Sequence, residues 1–155
     1  MLGTDLTVLP WLSAHDASEA DLVTRPRTAQ RVDPNGAVAP VTEVTDLGTW
    51  SERQNLAQAL ILRLLTPVGS LAALGHAAYG SRLHELIGQP RDDARRNLCR
   101  AYVLEAVAQE PRVDPKAVAL DFDREAESVD SFVFVLQVRP LDGGDPLAVS
   151  LEVAL

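Results

Sequence analysis

Two hydrophobic rhythms divide the chain. Over residues 56–107 apolar positions recur at steps of three and four, as on one face of a helix. From Val118 onward they recur at steps of two, as on a strand. Leu56, Ala57, Leu60, Ile61, Leu64 and Leu65 share a helix face, and Leu62 widens it, which predicts burial on more than one side. Two overlapping capping-box patterns, Thr49-Trp50-Ser51-Glu52 and Ser51-Glu52-Arg53-Gln54, place the start near residue 50 or 52. Pro67 and Gly69 end it.

Residues 70–75 read as a short apolar helical turn. Tyr79-Gly80-Ser81 makes a turn in which Ser81 caps a short helix over 82–87, closed by Gly88-Gln89-Pro90. A longer helix runs from about residue 92 to 109, with acidic residues in its first turn, where the helix dipole favours them. Leu98, Cys99, Tyr102, Val103, Ala106 and Val107 form its apolar stripe. Pro111 terminates it and leaves Glu110 and Arg112 displayed at its end.

Past that point Val118, Leu120 and Phe122 alternate with Ala119, Asp121 and Asp123. Phe132, Phe134, Leu136 and Val138 alternate with Val133, Val135 and Gln137, so this strand is apolar on much of both faces. Leu147, Val149, Leu151 and Val153 alternate with polar or small residues. The turn Asp142-Gly143-Gly144-Asp145-Pro146 separates the last two strands. The fold class is α+β: two to three helices packed on a small antiparallel three-stranded C-terminal sheet. The sequence stops just after the last strand. If that strand lies at the edge, its backbone groups are open to pairing with another chain.

The N-terminal third is less patterned. Leu6-Thr7-Val8-Leu9-Pro10-Trp11-Leu12 reads as an edge strand or an anchored arm. Residues 13–40, rich in Ala, Asp, Arg, Thr and Pro, read as a partly ordered loop, with Asp33-Pro34-Asn35-Gly36 as a turn. Val41-Thr42-Glu43-Val44-Thr45 alternates as a short strand. This gives an N-terminal arm and loop over 1–48 and a second unit over 49–155.

Composition narrows the function classes. At 155 residues the chain can bury a core, and with only 5% aromatics that core is mostly Leu, Val and Ala. A net charge of -8 argues against nucleic-acid binding, which needs a clustered basic face. No stretch approaches the ~20 apolar residues of a membrane helix, and the N-terminus lacks a signal-peptide pattern. A soluble protein made in the cytoplasm is expected. Cys99 is the single cysteine, so a disulfide framework is excluded and a buried, inert thiol is expected.

The central stretch resembles the contractile-tail baseplate wedge and sheath-initiator family (tail-lysozyme-like, GPW-type) of phage tails and extracellular contractile injection systems. The resemblance rests on Gln58, then Leu64-Leu65-Thr66-Pro67-Val68-Gly69, then Tyr79-Gly80-Ser81-Arg82-Leu83 with Leu86, then Glu110-Pro111-Arg112, followed by strands. It covers residues 50 to 155 and departs from the family pattern at Ser70 and over His76-Ala77-Ala78. The resemblance implies a structural role without a cofactor: six copies around the inner tube, near tube or hub proteins. It implies that Glu110, Pro111 and Arg112 dock on the baseplate wedge proteins, with Tyr79 and Gly80 in the same partner-binding set. It also implies that the sheet carrying Leu147, Val149, Leu151 and Val153 engages the sheath protein by strand exchange. The resemblance implies, finally, a protein assembled into a phage tail or an extracellular contractile particle.

The lysozyme label raises an enzymatic alternative, a baseplate-associated peptidoglycan hydrolase. Such an enzyme needs two carboxylates facing each other across a sugar cleft. Glu85, Glu105 and Glu110 are the candidates, and their spacing singles out no pair. His15, His76 and His84 show no metal-ligand spacing, and Asp121 with Asp123 would need further oxygens to hold a cation. The non-enzymatic reading is the stronger of the two.

Overall fold

The computed structural model describes residues 2–9, 22 and 24–155. In chain order it contains β1 (Thr4–Leu6), β2 (Thr24–Val32), β3 (Val38–Leu47), β4 (Thr49–Ser51), α1 (Glu52–Leu65), α2 (Asp93–Ala108), β5 (Val113–Phe122), β6 (Ser131–Pro140) and β7 (Leu147–Ala154). Short 3-10 turns occupy Ala72–Leu74 and Leu83–Leu86, where a helical turn and a short helix were expected. The α+β class and the C-terminal sheet stand. That sheet is an antiparallel meander in the order β5-β6-β7.

The core forms where the two rhythms meet. Phe132, Phe134, Leu136 and Val138 of the central strand and Val149, Leu151 and Val153 of β7 are buried. They pack with Leu56, Leu60, Ile61 and Leu64 of α1 and with Cys99, Val103, Ala106 and Val107 of α2. Each fully buried Leu, Val or Phe side chain contributes roughly 1.5–3 kcal/mol relative to exposure. Phe122 meets both Phe132 and Phe134 edge to face, at centroid distances of 5.9 and 6.0 Å. Two members of the expected stripes are exposed instead, Leu65 and Leu98. Each lies about 100° round its helix from the centre of the buried face, one residue's rotation.

The start of α1 also differs from expectation. Ser51 is extended and makes no side-chain capping bond. It is engaged in the β1–β4 ladder opposite Thr4, and the Glu52 N–H donates to the Gly3 carbonyl at 2.9 Å. Strand pairing, rather than a capping box, fixes the helix start, and Glu52 takes a left-handed φ of 51° at the junction.

The loop expected over 13–40 is replaced, over its described part, by an antiparallel ribbon of β2 and β3. Its turn is the one expected. Asp33 Oδ1 accepts from the N–H groups of Asn35 and Ala37, and its carbonyl accepts from Gly36 N–H. The strand expected at 41–45 lies within β3. The ribbon's described side chains are almost all exposed, and outside 41–45 no alternation marks it. Pro26 and Pro40 are tolerated because each strand has an unpaired side. The boundary expected at residue 48 falls between β3 and β4. Residues 10–12 of the expected arm, and residues 13–21 with His15, lie outside the described residues.

Residues 2–9 form an anchored arm on α1. Leu2 and Leu9 are buried in the core. Gln58 Oε1 accepts from the N–H groups of Val8 (2.9 Å) and Leu9 (3.1 Å), while its Nε2 donates to the Leu6 carbonyl at 2.8 Å. Trp50 Nε1 donates to the Leu9 carbonyl. A side-chain amide, with a donor and an acceptor side by side, is suited to such a strand-like segment.

Candidate functional site

The segments singled out in the sequence, 64–69, 79–83 and 110–112, come together at one corner of the fold, where α1 and α2 both end. Thr66 C-caps α1 in an extended conformation, and the chain then runs parallel to residues 79–81. Val68 N–H donates to the Ser81 carbonyl at 2.9 Å, and Ser81 N–H to the Thr66 carbonyl at 2.8 Å. Ser81 Oγ donates to the Leu64 carbonyl and accepts from Leu83 N–H at 3.3 Å, so its expected capping role is shared with tying off α1. Gly80 makes the approach possible. Its φ is +116°, and a Cβ there would lie 2.4 Å from the Thr66 carbonyl oxygen. Only glycine fits.

Beside this junction lies a chain of charged groups. Arg63, in the last turn of α1, holds its guanidinium 4.5 Å from the centre of the Tyr79 ring. Its Nη2 reaches Glu110 Oε2 at 3.5 Å. Glu110 Oε1 accepts from Arg112 Nε at 2.6 Å, and Arg112 Nη1 donates to the Leu2 carbonyl at 3.1 Å. Glu110 is therefore not displayed at a helix end, as the sequence suggested, but 5% exposed. The helix stops at Ala108, and the following turn carries the carboxylate inward between two guanidinium groups. Pro111 is exposed and Arg112 partly so.

The electrostatics follow the geometry. Burial pushes the Glu110 carboxyl upward, but the hydrogen bond and charge of Arg112, its backbone N–H and the charge of Arg63 outweigh it, so its pKa lies below 4.5. Burial raises the Tyr79 hydroxyl, with Glu110 adding to the rise and Arg63 and Arg112 opposing it.

At the sheet, β7 is an edge strand with β6 as its neighbour. Leu155 N–H donates to the Asp130 carbonyl at 2.7 Å, which sets the phase of the antiparallel ladder. Phe132↔Val153, Phe134↔Leu151 and Leu136↔Val149 are then the hydrogen-bonded pairs. The backbone groups of Ala148, Ser150, Glu152 and Ala154 turn away from β6. The side chains of Val149, Leu151 and Val153 are buried in the core and Leu147 packs against it, so any pairing along this edge would use the backbone. Next to the edge runs an open groove of about 180 Å³ whose lining includes Leu64, Leu65, Pro67, Ile87, Val153 and Ala154.

Of the remaining candidates for chemistry, Glu85 and Asp123 are engaged locally. Glu85 takes two hydrogen bonds from Arg82, each 2.9 Å, and one from the Tyr102 hydroxyl. The Arg82 bond, followed by the Tyr102 bond, lowers its pKa. A glycosidase acid needs a raised pKa, and both Glu85 and Glu110 move the other way. Asp123 closes a turn by accepting from Glu125 and Ala126 N–H. His76 and His84 are exposed. Among the described residues no group of three or more His, Cys, Asp or Glu could hold a metal ion, and no helix is long and apolar enough to cross a membrane. Cys99 is buried, and desolvation pushes its thiol up to about 12.

Sequence reasoning missed Arg63, and it missed Asn55, whose Nδ2 donates to the same Leu2 carbonyl as Arg112 at 2.9 Å. Arg63 interrupts an apolar run, a signal that could have marked it. It also missed Glu127, whose carboxylate is 1% exposed and receives a two-pronged contact from Arg96, itself stacked 4.8 Å over Phe132. That pair ties the 123–130 loop to α2.

No family model matches the chain, and no curated protein matches it. Among solved structures it is similar to a Geobacter sulfurreducens protein described as a "putative tail lysozyme". The two share a TM-score of 0.57 at 18% sequence identity, over 68% of this chain and 93% of the other. At that identity the likeness is one of fold.

Proposed function

We propose that the chain is a structural component of a contractile tail or injection particle, built into its baseplate around the inner tube. It docks on the wedge proteins through the corner of Glu110, Pro111 and Arg112, with Tyr79 and Gly80 shaping that corner. It offers the β7 edge to the first ring of sheath protein. Six copies, close to tube or hub proteins, would complete the ring, and neither nucleic acid nor a membrane is a partner.

The observation that carries this reading is the Arg63–Glu110–Arg112 chain. A buried ion pair is a poor source of stability, because desolvation offsets most of the attraction. What it does supply is a fixed orientation for Arg112 beside the exposed Pro111. The fold likeness to a protein described as a tail lysozyme supports the same reading, as does the edge position of β7 beside an apolar groove. A peptidoglycan hydrolase has only that neighbour's name in its favour, since Glu85 and Glu110, two of its candidate acids, have pKa values moved down rather than up.

The test is Arg112→Ala in the producing strain, with circular dichroism of the purified variant alongside. A folded variant that no longer supports sheathed particles is the expected result. Normal sheathed particles would overturn the docking role.

A further inference from the structure

Arg112 has three places from which to donate. Its Nε is bonded to Glu110 and its Nη1 to the Leu2 carbonyl, while its Nη2 has no partner among the described residues. The side chain is 27% exposed and lines an open groove with Leu2, Pro111, Leu141 and Asp142. The Leu2 carbonyl is itself held from a second side, by Asn55 Nδ2 at 2.9 Å. Asn55 is 5% exposed and sits in the first turns of α1, far from solvent. Beyond Leu2 the arm is fixed by the β1–β4 ladder and by the Gln58 clamp. A carbonyl fixed in this way can orient a guanidinium, because the planar fork cannot satisfy two acceptors and still rotate.

We infer that Asn55, acting through the Leu2 carbonyl, is a positioning residue for Arg112, and that residues 2–9 are thereby part of the docking corner. The partner group taken up is an acceptor oxygen of a protein, met by Nη2 beside Pro111 and Leu141, which line one groove with Leu2, Arg112 and Asp142. This rests on the docking role proposed above. Its gain is preorganisation: a held side chain loses less rotamer freedom when the partner arrives.

The test compares Asn55→Leu, which keeps the branching and the number of heavy atoms and removes the donor, with a chain lacking residues 1–3. Both are read by nitrogen-15 NMR of the Arg112 side chain and by electron microscopy of particles. In the wild type the two Nη groups of Arg112 give separate signals. In both variants those signals merge while circular dichroism is retained, and sheathed particles fall by about tenfold. Should Asn55→Leu fail to fold, the shortened chain decides. Separate Nη signals and normal particle numbers in a folded variant would overturn the positioning role, even with Arg112→Ala still defective. Normal particles from Arg112→Ala would instead overturn the docking role on which it stands.

Discussion

Glu110 accepts a hydrogen bond from Arg112 Nε at 2.6 Å across the intervening Pro111, and the glutamate is buried while the proline is exposed. A local ion pair of this kind on a surface would contribute little. Buried, and shared with Arg63, it holds the end of α1, the exit from α2 and the N-terminal arm in one arrangement.

Removing the carboxylate strands two guanidinium groups. Glu110→Ala is expected to lower the free energy of unfolding by about 3 kcal/mol, read from urea denaturation at neutral pH. A change below about 0.5 kcal/mol would mean that solvent already screens the cluster.

The same carboxylate gives a pH signature. Its pKa lies below the ordinary 4.5 in the folded chain, so its contribution is complete above that value and is lost as pH falls through the lower, folded one. The stability gap between the wild type and Glu110→Gln is therefore expected to narrow between about pH 5 and about pH 3. Thermal unfolding across that range measures it, and a gap that widens on acidification would contradict the assignment.

Gly80→Ala forces a Cβ toward the Thr66 carbonyl and a left-handed φ on alanine. A loss of roughly 3 kcal/mol or more is expected. Gly75→Ala makes a fair control: its φ of +83° is also left-handed, but a Cβ there meets nothing within 4 Å. The excess loss at position 80, measured by thermal unfolding, isolates the close approach.

Gln58→Ala leaves the N–H groups of Val8 and Leu9 and the Leu6 carbonyl without their side-chain partner. A loss on the order of 3 kcal/mol is expected. Hydrogen exchange at Val8 and Leu9 should accelerate far more than in the β5-β6-β7 sheet. Unchanged protection at those two amides would show that the arm is held by its buried leucines alone.

The hydrophobic rhythm made the C-terminal half legible because its elements each bury one face. Leu120, Phe132, Phe134, Val149 and Leu151 alternate in sequence and are buried in the structure. Apart from 41–45, the β2–β3 ribbon was illegible for the converse reason: its described side chains are almost all exposed, and a strand with no apolar face leaves no period to read. Glu110 was misjudged because a glutamate beside a helix-ending proline usually faces water. Its burial depends on Arg63 of a different helix, a pairing that no local pattern contains. The capping boxes at the start of α1 fitted the sequence, but the competing β1–β4 ladder claimed Ser51. The glycine at position 80 was legible as a turn, whereas the partner strand it admits was not.

The structural reading of this chain is tested most directly by electron microscopy of particles from a strain lacking it, with the wild-type gene restored as control. Tubes or baseplates without extended sheath, recovered to full length on restoration, are the expected result. Normal sheathed particles in the absence of the protein would contradict it and would turn attention to peptidoglycan cleavage.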